Sequence, residues 1–128
     1  DKGIYSTIHD LYLFDRAMRK AKLLKPETMD SVYAPHNVMQ KGHFNYGYGW
    51  RTFENGKNKV VYHTGWWHGF RNIYLRQVNK DITIILLTNL TNGSLLKLDE
   101  LYKVAGMPIV RRSAYSGNGQ SSVSDDED

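Results

Sequence analysis

The 128-residue chain contains no cysteine, which rules out a disulfide framework and any thiolate metal site and leaves the redox compartment without a marker. It has no apolar run near the roughly 20 residues that a membrane-spanning helix needs. Asp1-Lys2-Gly3-Ile4-Tyr5 is not the charged, then apolar leader of a secretory signal. The first residue is Asp rather than Met, so the chain is expected to be a processed or excised piece. Proline is scarce, and each of the three, Pro26, Pro35 and Pro108, falls where a helix should start or stop. No internal repeat is present.

What remains fits one small domain with one core: 41% of residues are hydrophobic and 23% charged, at a length that leaves no room for a second unit. The net charge of +4 conceals a split. Asp125-Asp126-Glu127-Asp128 hold four of the 13 acids, so residues 1–124 carry 17 basic against nine acidic side chains, a formal +8. Such a field favours anionic ligands or surfaces. Lys and Arg are nevertheless scattered along the chain, as on a solubilising surface.

Periodicity sets the elements. Ile8, Leu11, Phe14, Met18 and Ala21 recur at three- and four-residue spacing behind Ser6, which predicts an amphipathic helix over 6–22 with Ser6 as its N-cap. Lys25-Pro26-Glu27 restarts a helix over 25–34, with Met29, Val32 and Tyr33 on its buried side. Residues 36–45 read as a loop. From Tyr46 the period changes to two, and Tyr46-Gly47-Tyr48-Gly49-Trp50-Arg51-Thr52-Phe53 predicts a strand whose glycines let another backbone approach. Asn55-Gly56 marks a tight hairpin turn. Lys59 to Trp66 is the return strand, with Val61, His63, Gly65 and Trp67 on one side and Val60, Tyr62, Thr64 and Trp66 on the other. Phe70 to Val78 forms a third strand. The nearly continuous apolar run Ile82 to Leu87 forms a fourth, buried on both faces, and so demands helices above and below the sheet. One of them is 95–105, with a Leu95, Leu98, Leu101, Tyr102, Ala105 stripe. The fold class is thus α+β, an antiparallel sheet of about four strands flanked by helices. Residues 113–128, rich in Ser, Gly and acids, are expected to be a disordered tail.

Chemistry concentrates in Tyr62-His63-Thr64-Gly65-Trp66-Trp67-His68-Gly69-Phe70. A packed aromatic corner is the bland reading. A metal site is disfavoured, because His63 and His68 sit on the two sides of a turn with no third ligand at a suitable spacing. The functional reading gives each residue a task. The Thr64 hydroxyl can bond a substrate carboxylate or carbonyl, and Gly65 lets substrate backbone lie against the strand. The Trp66 backbone N–H can point at a developing oxyanion. His63 supplies a hydrogen-bond donor beside them.

Four stretches then share one likeness: Gly3-Ile4-Tyr5-Ser6-Thr7-Ile8-His9-Asp10-Leu11, Tyr46-Gly47-Tyr48-Gly49-Trp50, His63-Thr64-Gly65 followed by Gly69-Phe70, and Ile84 to Asn89. In that order they resemble the carboxyl-terminal part of the serine β-lactamase and penicillin-binding-protein superfamily, on the branch of class C β-lactamases, D,D-carboxypeptidases and esterases. The resemblance covers roughly residues 3–106. It implies that residues 1–112 are the carboxyl-terminal portion of a β-lactamase-like domain with further sheet strands upstream, and that the sheet edge left exposed here favours self-association. It implies acyl transfer by a Ser of Ser-x-x-Lys, assisted by the Tyr of Tyr-x-Asn, with His63, Thr64, Gly65 and Trp66 in the catalytic wall and Thr64, Trp66, Trp67 and Asn89 toward substrate. No cofactor or metal is implied, the substrate is small or peptide-like, and the compartment is extracytoplasmic.

The attacking half is missing. Ser94-Leu95-Leu96-Lys97 has the nucleophile spacing but lies after the third motif, and no Tyr-x-Asn occurs in the sequence. The expectation is therefore a fragment of a serine hydrolase that carries the binding and oxyanion wall without the nucleophile and is inert alone. The rival is a non-catalytic module in which a basic aromatic β-surface of Tyr74, Arg71, Arg76 and Trp67 stacks single-stranded nucleic acid. A structural or interaction domain without a site is the third reading.

Overall fold

A computed structural model describes residues 3–36, 44–90 and 98–110. The elements run α1 (Ile8–Arg19), α2 (Pro26–Tyr33), β1 (Phe44–Tyr46), β2 (Arg51–Asn55), β3 (Asn58–Trp67), β4 (Phe70–Gln77), β5 (Ile82–Leu86) and α3 (Leu98–Ala105). The strands form one antiparallel meander in the order β1-β2-β3-β4-β5. The class is α+β, as the periodicity predicts. The expected tail over 113–128, most of the 36–45 loop, and residues 95–97 of the last helix, with Ser94-Leu95-Leu96-Lys97, lie outside the described residues.

Side-chain alternation divides the sheet into two covered faces. Val60, Ile73, Leu75 and Ile84 pack with Tyr102 and Met107 under α3. Val61 packs with Met18, Met29 and Tyr33 of α1 and α2. Because β3 sends even residues to the first face and odd residues to the second, the predicted division of that strand holds, and the apolar β5 is covered on both sides.

The fifth strand arises where one was expected to run straight from Tyr46 to Phe53. Gly49 takes a positive φ of 71°, and the Gly47 N–H bonds the Trp50 carbonyl at 2.8 Å, so the chain reverses there. The Tyr48 N–H donates to the Val32 carbonyl at 2.9 Å, and a Cβ on Gly47 would stand 2.2 Å from that same oxygen. A glycine is therefore required at 47, because the end of α2 docks onto the turn.

Helix α1 also differs from its predicted form. Thr7, not Ser6, is the N-cap, accepting from the Asp10 N–H, and the helix ends at Arg19 because Ala21 adopts a φ of 52°. Its inward face is turned away from the predicted stripe. Ile8 and Phe14 are 55% and 41% exposed, whereas Asp15 is fully buried beside Met18.

Asp15 sets that rotation. Its carboxylate accepts hydrogen bonds from Arg16 Nη2 at 2.8 Å, Arg19 Nε at 3.0 Å and the Tyr74 hydroxyl at 3.0 Å. Arg76 Nε on β4 lies 2.7 Å away. Arg76 in turn donates to the Tyr33 hydroxyl, which ties α2 into the same cluster, while Arg16 and Arg19 reach Asp81 at the β4–β5 turn. The Arg19 guanidinium also donates to the carbonyls of Lys80 and Ile82 and to the Thr83 hydroxyl. Burial works to raise the Asp15 pKa, but the Arg16 hydrogen bond and the Arg76 and Arg19 charges outweigh it and hold the carboxyl below its ordinary value. Burial pushes the Tyr74 and Tyr33 phenols up despite the Arg76 charge, so both stay protonated as donors or acceptors.

A carboxyl whose folded pKa is depressed stabilises the fold above its unfolded pKa, and that contribution is lost as pH falls through the folded value. Urea denaturation as a function of pH is therefore expected to show stability falling as pH drops below about 4, the ordinary carboxylate range. Asp15→Asn should flatten that dependence and cost roughly 3–5 kcal/mol at neutral pH, since three guanidinium groups lose their buried counter-charge. An unchanged midpoint would show that the cluster does not hold the helices to the sheet.

Candidate functional site at the open edge of β3

Strand β3 outruns its neighbour. Its pairing with β2 stops at Arg51↔Tyr62, whereas pairing with β4 continues to Trp67↔Phe70. Residues 63–67 thus have a strand on one side only, among the described residues. The Val78 N–H donates to the Lys59 carbonyl at 2.8 Å, which fixes the phase of the ladder. Odd residues of β3 turn their N–H and C=O toward β4, and even residues turn theirs toward β2. Beyond Tyr62 no strand among the described residues lies on that second side, so the backbone N–H groups of Thr64 and Trp66 face the open edge.

The strand ends in a two-residue turn, His68-Gly69, with φ of 41° and 90°, as a tight primed hairpin requires. His68 therefore belongs to the turn itself rather than to its far side. Among the described residues no group of three His, Asp or Glu side chains gathers as a cation would need.

Residues 63–67, the predicted wall, follow one another on this strand with successive side chains on opposite faces. His63, Thr64, Gly65, Trp66 and Trp67 are all exposed, with Trp66 50%, Trp67 46% and Phe70 49% accessible. Gly65 and Trp67 share the α1/α2 face with His63, and Thr64 and Trp66 share the α3 face. The Arg71 guanidinium lies 4.7 Å from the Trp66 ring centroid, a cation–π contact that settles that indole. A Cβ added at Gly65 would meet only Asn72, at an ordinary 3.9 Å, so nothing in the described chain needs a glycine there.

His63 is held at both ring nitrogens. Nδ1 lies 2.7 Å from the Thr64 carbonyl oxygen, and Nε2 lies 2.8 Å from the Tyr46 hydroxyl. Asn89 is exposed just past β5. The Arg71 N–H donates to the Thr88 carbonyl at 2.9 Å, which carries the ladder on and sets Asn89 at the Phe70 end of β4. It shares an end of the sheet with the His-Thr-Gly segment but is separated from β3 by β4.

Two residues at this end are not among the site residues read from the sequence. Tyr46 could be found only by knowing that β1 folds back. Asn72, opposite Gly65, accepts from the Thr88 N–H at 3.0 Å and is legible only from the strand register. The nucleic-acid surface, by contrast, does not form. Arg76 is 4% exposed and Tyr74 is bonded to Asp15, while Arg71 lies on the opposite face of β4 from Tyr74 and Arg76.

Over 91 residues, 70% of its length, the chain is 28% identical to penicillin-binding protein 4* of Bacillus subtilis (strain 168). It spans 20% of that relative's length. No family model matches the chain, and no solved structure matches it. The similarity is weak and supports a relationship to penicillin-binding and β-lactamase-like proteins at that coarse level. No described helix is long and apolar enough to cross a membrane.

Since Gly65 meets no tight contact, Gly65→Ala is expected to change the stability of the chain by no more than about 0.5 kcal/mol, as for an ordinary surface substitution. Chemical denaturation followed by tryptophan fluorescence checks this, and a large loss would mean that the glycine serves the fold.

Proposed function

We propose that the chain is the carboxyl-terminal part of a serine hydrolase related to the penicillin-binding proteins and β-lactamases, and that it contributes the substrate and oxyanion wall. The observation that carries this reading is the open side of β3, where the Trp66 N–H faces away from β4 next to a glycine that the fold does not need. In this reading residues 1–112 belong to one larger β-lactamase-like domain, and the nucleophile of a Ser-x-x-Lys segment lies outside this chain. The Ser oxygen attacks an amide, β-lactam or ester carbonyl. The Trp66 N–H stabilises the oxyanion that forms, at a position fixed before reaction. Substrate lies along Gly65, and the Thr64 hydroxyl and His63 contact its polar groups. Trp66 and Trp67 line the rim, where they favour apolar substituents, and Asn89 lies toward the substrate carboxylate.

Alone, the chain lacks the attacking group and is inert, because a wall without a nucleophile retains only binding and oxyanion contributions. Self-association through uncovered surface accompanies this reading. Ile8, Tyr12 and Leu13 on α1 are about half exposed, and β5 has a partner strand on one side only among the described residues. Light scattering is expected to report dimers or larger species at micromolar concentration, and a clean monomer would count against that part of the proposal.

Thr64→Val tests the site in a protein that joins this chain to a Ser-x-x-Lys segment. Loss of a hydrogen bond to a charged substrate group should lower kcat/KM by roughly 10- to 100-fold, read with p-nitrophenyl esters and nitrocefin. Unchanged turnover would remove Thr64 from the site, and hydrolysis by the 128-residue chain alone would refute its inertness.

A further inference from the structure

We propose that Tyr46 is a positioning residue that fixes His63 in one tautomer and one orientation at the edge of the site. The relevance to catalysis rests on the hydrolase reading above, whereas the tautomer itself does not. The geometry allows one arrangement of the neutral ring. A carbonyl oxygen can only accept, so at 2.7 Å from Thr64 O the Nδ1 atom of His63 must carry the proton. Neutral imidazole then has a lone pair at Nε2, and the Tyr46 hydroxyl 2.8 Å away must be its donor. The two rings stand edge to face, with centroids 6.1 Å apart and planes at 89°.

Tyr46 is well placed to hold a ring still because its own backbone is tied down on two sides. Its carbonyl accepts from the His36 N–H at 2.9 Å. The residues that follow it, Gly47 and Tyr48, are pressed on the Val32 carbonyl at the end of α2. The Tyr46-Gly47-Tyr48-Gly49-Trp50 stretch thereby gains a task that its sequence alone does not disclose: its turn presents the phenol of its first residue to the His63 ring. The Nδ1–H is committed to the strand's own carbonyl and the Nε2 lone pair to the Tyr46 hydroxyl, so a substrate approaching the Nε2 side meets the Tyr46 oxygen beside the ring.

Long-range proton–nitrogen NMR on the full chain with labelled histidine reads the tautomer directly. At a pH where His63 is neutral, the wild-type ring is expected to show a protonated Nδ1 and an unprotonated Nε2, the reverse of the preference of free imidazole side chains. Tyr46→Phe keeps the aromatic ring and removes only the hydroxyl, and it should shift the tautomer ratio toward Nε2–H by roughly fivefold, the worth of one hydrogen bond. A wild-type His63 protonated at Nε2 would overturn the proposal without recourse to any variant. A Tyr46→Phe chain with a native-like amide spectrum and an unmoved ratio would overturn it too. Because no substrate enters the measurement, an absence of hydrolysis by the protein that joins this chain to a Ser-x-x-Lys segment would reject the hydrolase reading and leave the tautomer result untouched.

Discussion

The buried Asp15 carboxylate is the constraint on which the rest depends. A charge without solvent access costs several kcal/mol unless it is paired and fully bonded. Here three guanidinium groups and a phenol converge on it. Those partners come from α1 itself and from β4, so satisfying the carboxylate is the same act as docking the helix. The rotation that points Asp15 inward also turns Ile8 and Phe14 outward. An apolar stripe is left uncovered because an electrostatic demand outranks a hydrophobic preference of about 1.5–3 kcal/mol per side chain.

From that cluster a continuous set of contacts runs to the candidate site. Arg76 bonds Tyr33, and the Trp50 ring packs edge-on between Tyr33 and Tyr74. The next residue back from Tyr33, Val32, receives the Tyr48 N–H and admits Gly47. Tyr46 then reaches His63. Each link is a direct contact, so the position of the His63 ring is inherited from the way α2 is tied to the sheet. The site is exposed, yet its residues are not loosely held.

Much of this was legible in the residues. Alternation along β3 divides Val60, Tyr62 and Thr64 from Val61, His63 and Gly65, since a strand has no other way to place successive side chains. Asn55-Gly56 announces its hairpin through the positive φ of 58° that Gly56 adopts. Asp15 was not legible, for an acid in a helix reads as solvent-facing until Arg76, 61 positions later, is known to lie beneath it. Nor was the fold-back at Gly47-Tyr48-Gly49, where alternation of glycine and aromatics imitates a strand while the positive φ at Gly49 reverses the chain.

The two glycines of greatest consequence separate what the fold needs from what a site needs. Gly47 is dictated from within, since the Val32 carbonyl occupies the space a side chain would take. Gly65 has no such neighbour, and it lies between Thr64 and Trp66, whose N–H groups have no strand beside them among the described residues. The asymmetry puts Gly47 under a constraint of the architecture, whereas Gly65 answers to no tight contact among the described residues.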